Sequence, residues 1–371
     1  MKLAVDRRIA GVAAVSALAI SLAACGNGGS AEETHGAAGE GTGLSGQVAG
    51  AGASSMENAQ NAWIAEFTAQ NPGVVASYDP VGSGGGREQF ISGTTLYGGS
   101  DATLDEEEVA AAQERCSAGE VLELPLYLSP IAVIFNIEGT DSINMSPATL
   151  AGVFSGQITT WNDPAIAADN EGVELPDLNI IPVNRSDDSG TTENFTDYLS
   201  KAAPEAWTFE ADGVWPIEGT QSGAQTSGMI DVVSSTQGTI GYADASRSGD
   251  LGTVAVRVGD EFVSYSPEAA ARVLEVSQLT DDANDFRLTY DLARDTTESG
   301  TYPIVLVAYT MACELYESEQ DAQNVRAFLT YVTSDEGQQV AADPDVAGIA
   351  PLSDTIRELV MNAVDQISVA G

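Results

Sequence analysis

The sequence predicts an α/β protein with two lobes, and three observations support this prediction. Short apolar segments alternate with glycine-rich turns and with segments of helical periodicity, which is the strand, turn, helix order of an α/β sheet. The chain has 371 residues, more than a single hydrophobic core usually organises. Its hydrophobic content of 43% is typical of a folded globular protein and argues against wholesale disorder.

The alternation begins near residue 46. A strand-like segment, 46–51, leads to two serines that can cap a helix. The helix that follows carries Trp63, Ile64 and Phe67 on one face. A second predicted strand, 74–81, ends in the glycine-rich run 82–86, and another helix is expected after it.

Later segments continue the same pattern. The long apolar run 124–136 contains a proline and is interpreted either as two strands or as one strand that crosses between lobes. A second strongly apolar run lies at 302–309. The remaining predicted elements include strands at 178–183 and 238–244 and helices at 228–235, 322–333 and 352–369.

The N-terminus is typical of an export signal. Basic residues precede a short apolar run, 9–22, which is too short for a comfortable transmembrane span. The segment LAACG (22–26) resembles the lipobox of bacterial lipoproteins. This resemblance implies that the signal peptide 1–24 is removed and that Cys25 receives a diacylglycerol. We therefore expect an exported protein that is lipid-anchored to the outer face of the cell membrane through a flexible tether, 25–45.

Charge and residue inventory exclude several function classes. Nucleic acid is an unfavourable partner, since 55 acidic residues face 14 basic ones. The single histidine, His35, lies in the tether, so a Ser-His-Asp triad and His/Cys zinc sites lack their ligands. Carboxylate-only chemistry such as glycoside hydrolysis stays open by this count. The inventory favours a binding protein over an enzyme, with no cofactor and no metal.

Two further cysteines, Cys116 and Cys313, lie far apart in the sequence. In an exported protein, an even pair favours a disulfide. Two buried thiols in separate cores are the alternative.

Three loops have a composition suited to anion binding. Small residues let a backbone approach a ligand closely, and a helix N-terminus offers unpaired N–H groups at the positive end of its dipole. The loops are GAGASS (50–55), GSGGG (82–86) with GGSD (98–101), and RSDDSGTT (185–192). None has the pattern of a nucleotide-binding P-loop.

These loops, in this order, resemble those of the substrate-binding lipoproteins of bacterial high-affinity phosphate ABC transporters. The segments VFSGQITTWNDPAI (153–166) and GTIGYAD (238–244) are also similar to that family, and RSDxSGT is the most diagnostic motif. The resemblance covers most of the mature chain. It implies an α/β fold of the two-lobed periplasmic-binding-protein type, often compared to a Venus flytrap, with phosphate bound in the cleft. It also implies partners, namely the permease and ATPase subunits of the transporter.

The resemblance implies a set of phosphate-binding residues from both lobes. They are Ser54, Ser55, Ser83 and Asp101 from the first lobe and Arg185, Ser189, Gly190 and Thr191 from the second. Many family members have Thr-Phe where this chain has Ser54-Ser55, so the resemblance implies that the Ser54 hydroxyl keeps the chemistry of the threonine and that Ser55 contributes its backbone N–H. Within the arginine loop, we expect Asp187 to orient the Arg185 guanidinium and Asp188 to face solvent.

The two apolar runs are the expected hinge, because binding between lobes couples ligand to closure. This gives a first lobe of 46–128 plus 308–371 and a second lobe of 129–307. Another tetrahedral oxyanion, sulfate or molybdate, is an alternative ligand that Asp101 disfavours, since a carboxylate needs a protonated ligand oxygen. An exported hydrolase and a cell-surface structural lipoprotein are weaker alternatives.

Overall fold

The computed structural model describes residues 43–116 and 119–371. The predicted signal peptide, the lipidated Cys25 and most of the predicted tether lie outside these residues. Residues 43–116 and 119–371 belong to one compact unit. None of the helices in the described part of the chain has the length and apolar character needed to cross a membrane.

Strands and helices alternate along the described chain. The strands are β1 (Gly46–Gly52), β2 (Val74–Asp79), β3 (Tyr97–Ser100), β4 (Val121–Phe135), β5 (Ser142–Met145), β6 (Ile181–Arg185), β7 (Gln221–Gly223), β8 (Thr239–Asp244), β9 (Gly252–Val258), β10 (Glu261–Val263), β11 (Gln278–Leu279), β12 (Tyr290–Asp291), β13 (Val305–Cys313), β14 (Leu315–Tyr316) and β15 (Ser368–Val369). The helices are α1 (Glu57–Gln70), α2 (Ser83–Ile91), α3 (Glu106–Cys116), α4 (Pro147–Phe154), α5 (Pro164–Asp169), α6 (Gly190–Ala202), α7 (Gln225–Ser235), α8 (Pro267–Val276), α9 (Glu319–Thr333), α10 (Asp335–Ala342) and α11 (Asp354–Val364). A short 3-10 turn, Ser54–Met56, precedes α1.

Strand β4 connects two groups of strands. Its first part, from Val121 to Pro130, pairs antiparallel with β13, beside which lie β3, β1 and β2. Its last part, from Ile131 to Phe135, pairs antiparallel with β8, beside which lie β6 and β7. All fifteen residues of β4 are buried, which explains an uninterrupted apolar run without alternation. Residues 124–135 of the predicted run 124–136 therefore form one continuous strand that changes partners, and the alternative of two strands is wrong.

The hydrophobic core continues through both groups of strands. Trp63 and Phe67 on α1 are buried, whereas Ile64 is only partly buried. In the second group, Phe195 stacks on Tyr242 with ring centroids 4.4 Å apart, and Phe154 meets Phe195 edge to face. Each group of strands thus packs helices on its own aromatic cluster.

One contact departs from the predicted lobe boundaries. The carboxylate of Glu123, fully buried on β4, accepts a hydrogen bond from Nε of Arg287 at 2.5 Å. The backbones also join, since Glu123 N–H donates to Phe286 and the N–H of Leu288 donates to Glu123. A buried carboxylate needs a paired donor, and residues 286–288 supply it at the end of β4 that pairs with β13. The predicted boundaries assign residues 286–288 to the second lobe, although these residues contact Glu123 in the first lobe. The boundaries at 128/129 and 307/308 stay a prediction.

A disulfide joins Cys116, at the end of α3, to Cys313, at the end of β13. The two Cα atoms are 5.3 Å apart, a separation usual for such bridges. The alternative of two separate thiols is not what the structure contains.

Candidate functional site

Four predicted site residues lie at one edge of the sheet. Ser54 and Ser55 follow β1, Ser83 follows β2, and Asp101 follows β3. Because β1 is parallel to both β2 and β3, the carboxyl ends of these strands meet at the same edge. All four residues are at most 3% exposed. We call these four residues the first face.

A glycine lets the loops of the first face pack closely. Gly52 ends β1 with φ of +148°, a conformation that residues with a side chain rarely adopt. A Cβ at this position would lie 2.0 Å from the carbonyl oxygen of Gly99 on β3. The β1 loop therefore rests directly on the β3 loop.

The other four predicted residues form the second face: Arg185, Ser189, Gly190 and Thr191. Arg185 ends β6, and Ser189 is the N-cap of α6, where its Oγ accepts a hydrogen bond from the N–H of Thr192 at 3.3 Å. Arg185 is 3% exposed, so its guanidinium is a buried charge that needs compensation.

Asp101 connects the two faces. Its Oδ1 accepts from the hydroxyl of Ser55 at 2.6 Å, and its Oδ2 accepts from the hydroxyl of Thr191, on the second face, at 2.8 Å. Its backbone N–H donates to Oγ of Ser83 at 3.1 Å. Gly190 also touches this group, since a Cβ there would lie 2.7 Å from Ser83 Oγ and 2.8 Å from Asp101 Cβ. Four of the other seven predicted residues therefore meet at Asp101, and two of them bind its carboxylate.

Arg185 forms an ion pair with Asp187, two residues along the chain. The Asp187 carboxylate accepts from Nε at 2.8 Å and from the terminal NH2 at 2.5 Å. This two-pronged contact fixes the plane of the guanidinium. The pair lies beside the first face, because a Cβ on Gly82 would be 2.8 Å from Asp187 Oδ2.

Thr226, on the first turn of α7, is a contact that the sequence reasoning missed. Its N–H donates to Ser54 Oγ at 3.1 Å, and the two hydroxyls are 2.9 Å apart. The neighbouring Gln225 has φ of +59°, and its N–H donates to Asp187 Oδ1 at 2.9 Å. One carboxylate thus holds both Arg185 and the start of α7. The run SGAQTSG (222–228) has the small-residue composition of the other loops, which is the signal that could have found it.

Asp188 is exposed, as expected, but it does not only face solvent. Its side chain is 46% exposed, and one carboxylate oxygen lies 3.6 Å from the guanidinium of Arg87 on α2. The carboxylate also covers Gly84, where a Cβ would approach it within 2.5 Å. Asp188 therefore bridges the second face to the helix that begins at Ser83.

The electrostatics of the site are mixed. Burial raises the pKa of Asp101, while the hydroxyls of Ser55 and Thr191 and the charge of Arg185 act in the opposite direction. Helices α2, α6 and α7 all begin at these contacts, and their N-termini favour negative charge. The site thus combines neutral donors, one cation and one carboxylate acceptor, a set that can bind a partly protonated oxyanion. Among residues 43–116 and 119–371, no group of His, Cys, Asp and Glu side chains has a metal-binding arrangement.

Comparison with known proteins agrees with this architecture. Residues 36–336 match the family model described as the PBP superfamily domain. The phosphate-binding protein PstS 3 of Mycobacterium leprae is 33% identical over 322 residues, covering 85% of this chain and 86% of that protein. PstS 3 of Mycobacterium tuberculosis is 32% identical over 369 residues, covering 97% and 98%.

A solved structure supports the fold. The high-affinity periplasmic phosphate-binding protein PfluDING, solved with bound phosphate at pH 8.5, matches with a TM-score of 0.67. The match covers 85% of this chain and 93% of that one at 20% sequence identity, so the likeness concerns the fold alone. The predicted α/β fold of the two-lobed periplasmic-binding-protein type is confirmed.

Proposed function

Because the chain belongs to the PBP superfamily and to the PstS phosphate-binding proteins, we propose that it binds inorganic phosphate between the two faces and delivers it to an ABC-transporter permease for import. The observation that carries the proposal is the position of Asp101, a buried carboxylate among hydroxyl and N–H donors, with Arg185 on the opposite face. The eight residues of the two faces are the proposed ligand set.

Asp101 supplies the selectivity in this proposal. Hydroxyls and N–H groups donate to the anionic oxygens of phosphate, each contributing about 1.5–3 kcal/mol. The carboxylate accepts only, so it favours a ligand that retains a P–OH near neutral pH. Sulfate has no such proton, and binding it would place two acceptors against each other. A site built around one required hydrogen bond can discriminate by about 10⁴-fold.

The cellular setting is part of the proposal. We infer an exported protein, anchored through the lipid on Cys25 to the outer face of the membrane, that works with permease and ATPase subunits. The lipobox-like segment at 22–26 and the curated relatives, which are named as phosphate-binding proteins, support this setting. The same names support a binding protein over an enzyme.

Calorimetric titration with phosphate and with sulfate tests the function. We expect tight phosphate binding by the natural chain and sulfate binding weaker by about 10⁴-fold. In Asp101→Asn the acceptor is replaced by an amide that can also donate, so phosphate affinity should fall while sulfate affinity does not. The ratio of phosphate affinity to sulfate affinity should then fall by about 100-fold.

Asp105→Asn is the control, because Asp105 lies four residues further along the same loop and its carboxylate caps Glu108 N–H at the exposed start of α3. This variant should keep both affinities. Absence of phosphate binding by the natural chain, or equal binding of the two anions, would overturn the proposed function.

A further inference from the structure

We propose that Asn194 and Arg294 act as a positioning pair that holds the main chain of Asp101 and Gly190 in the geometry for ligand binding and couples it to the start of β13. This inference rests on the proposed function and adds two residues that do not belong to the ligand set.

The amide of Asn194 bridges the two faces. The residue lies on the second turn of α6 and is 7% exposed. Its Nδ2 donates to the backbone carbonyl of Asp101 at 2.7 Å and to that of Gly190 at 2.8 Å. An NH2 group has two donors in a fixed fork, and here each reaches one of the two faces.

Arg294 fixes the orientation of this amide. It is 2% exposed, and its guanidinium donates to Oδ1 of Asn194, so the NH2 end must point toward the two carbonyls. The same guanidinium donates to the carbonyl oxygens of Pro303 at 3.0 Å and Val305 at 2.7 Å. Val305 is the first residue of β13, the strand that pairs with β4. Asp197 completes the set, accepting from Nε at 3.0 Å.

These contacts determine where the Asp101 carboxylate points. Its N–H is held by Ser83 and its carbonyl by Asn194, so both peptide groups that flank the side chain are fixed. A cavity of about 170 Å³, lined among others by Asp101, Asn194 and Arg294, lies beside this segment. Packing on that side is incomplete, and the position of the Asp101 main chain therefore depends on the amide hydrogen bond.

The same bond contributes to lobe closure. It joins residues 93 positions apart, Asn194 on α6 and Asp101 on the first face, so a separation of the two faces would break it. Asn194 thus adds to the stability of the closed form without touching the ligand. Removal of the bond is expected to speed phosphate release more than it slows association.

Asn194→Asp is the principal test, because it keeps the shape but replaces two donors by acceptors aimed at carbonyls. The new carboxylate still accepts from Arg294, whereas both bonds from Nδ2 are lost. We expect phosphate affinity to fall by about 10- to 100-fold, the loss expected when one or two buried hydrogen bonds fail. The phosphate release rate, measured by stopped flow, should rise by most of that factor, and the preference over sulfate should fall.

Asn170→Asp is the matched control. Asn170 is 6% exposed, and its Nδ2 also donates to its own i−4 carbonyl, that of Ile166, and to a distant carbonyl, that of Asn144, both at 2.8 Å. These partners all lie within residues 144–170, outside the two faces. The control should lower the unfolding temperature of the ligand-free protein as Asn194→Asp does, yet keep the natural phosphate affinity and release rate.

A second pair of variants tests the inference if Asn194→Asp folds poorly. In Asn194→Ser the hydroxyl can bond its own i−4 carbonyl but cannot reach Asp101 as well, and Asn170→Ser matches it. We expect the same change in release rate from Asn194→Ser with a smaller loss of stability. The inference would be overturned if both Asn194 variants kept the phosphate affinity, release rate and anion preference of the natural chain. It would also be overturned if the Asn170 controls lost as much phosphate affinity as the Asn194 variants. Lack of phosphate binding by the natural chain would instead overturn the proposed function together with this inference.

Discussion

The two faces of the site differ in what they offer an anion. The first face brings a buried carboxylate, Asp101, together with serine hydroxyls. The second brings the guanidinium of Arg185 and the start of α6. In the proposed site, the second face would therefore attract any small anion, while the first face would accept only one that carries a proton. The proposed selectivity requires both faces together, because neither face holds both elements.

The largest expected effect comes from preventing that contact. Gly190→Ala places a methyl group 2.7 Å from Ser83 Oγ, 2.8 Å from Asp101 Cβ and 2.9 Å from the backbone nitrogen of Ala102. Backbone cannot move aside as a flexible side chain does, so the faces must separate, at a cost of about 1–3 kcal/mol. We expect phosphate affinity to fall by about 10- to 100-fold in calorimetry.

Gly228→Ala is the control for this prediction. Gly228 also lies in a helix, α7, beside the second group of strands. A Cβ there would lie 3.5 Å from its nearest neighbour, the backbone carbon of Gly223, which is an ordinary contact distance. Its phosphate affinity should match the natural chain. Undiminished binding by Gly190→Ala would mean that the faces do not need to meet as closely as the structure has them.

A smaller effect is expected when the second face loses its internal order. Asp187→Asn removes the charge that orients Arg185 and weakens the bond to Gln225 N–H at the start of α7. Loss of the negative charge favours anion binding. A guanidinium with the wrong orientation and a less ordered start of α7 disfavour it. Because the oriented contact acts at hydrogen-bond distance, we expect the second effect to prevail and affinity to fall by about 10-fold.

The anion preference distinguishes this loss from that of Asp101→Asn. Asp187→Asn should weaken phosphate and sulfate binding together, since it acts on the face that attracts both. Asp163→Asn, at the N-cap of α5, is a control that keeps a capping side chain. Unchanged affinity and preference in Asp187→Asn would contradict an orienting role.

Local patterns explain what could be predicted from the sequence. The Arg185–Asp187 pair joins residues two apart, and the β1 and β2 loops lie in short runs of glycine and serine. Such features depend on a few neighbouring residues, so their composition indicates them. The continuous strand β4 was one of two alternatives, because an apolar run alone does not reveal which strands it will pair with.

Long-range contacts account for what could not be predicted. Thr226 meets Ser54 across 172 residues, and Arg287 meets Glu123 across 164. The first contact depends on the pairing of β7 with β6, since β7 leads into α7, and the second accompanies an isolated bridge between Arg287 and β4. No local pattern carries information about such distant contacts.

The predicted helix at 352–369 is too long, since α11 ends at Val364 and β15 follows.

The smallest expected effect lies at the rim, where Asp188 faces Arg87 at 3.6 Å. This pair joins the faces outside the ligand set, and the half-exposed carboxylate limits its contribution to about 0.2–1 kcal/mol. In Asp188→Asn we expect the phosphate release rate to rise about twofold at low ionic strength, because the closed form loses one attraction. Salt screens such a pair, so the variant and the natural chain should release phosphate equally fast in about 1 M salt, where the screening length is about 3 Å. Asparagine has the same shape as aspartate, so the variant keeps the packing over Gly84. A difference in release rate that persists at high salt would therefore contradict the ion pair with Arg87 as the cause.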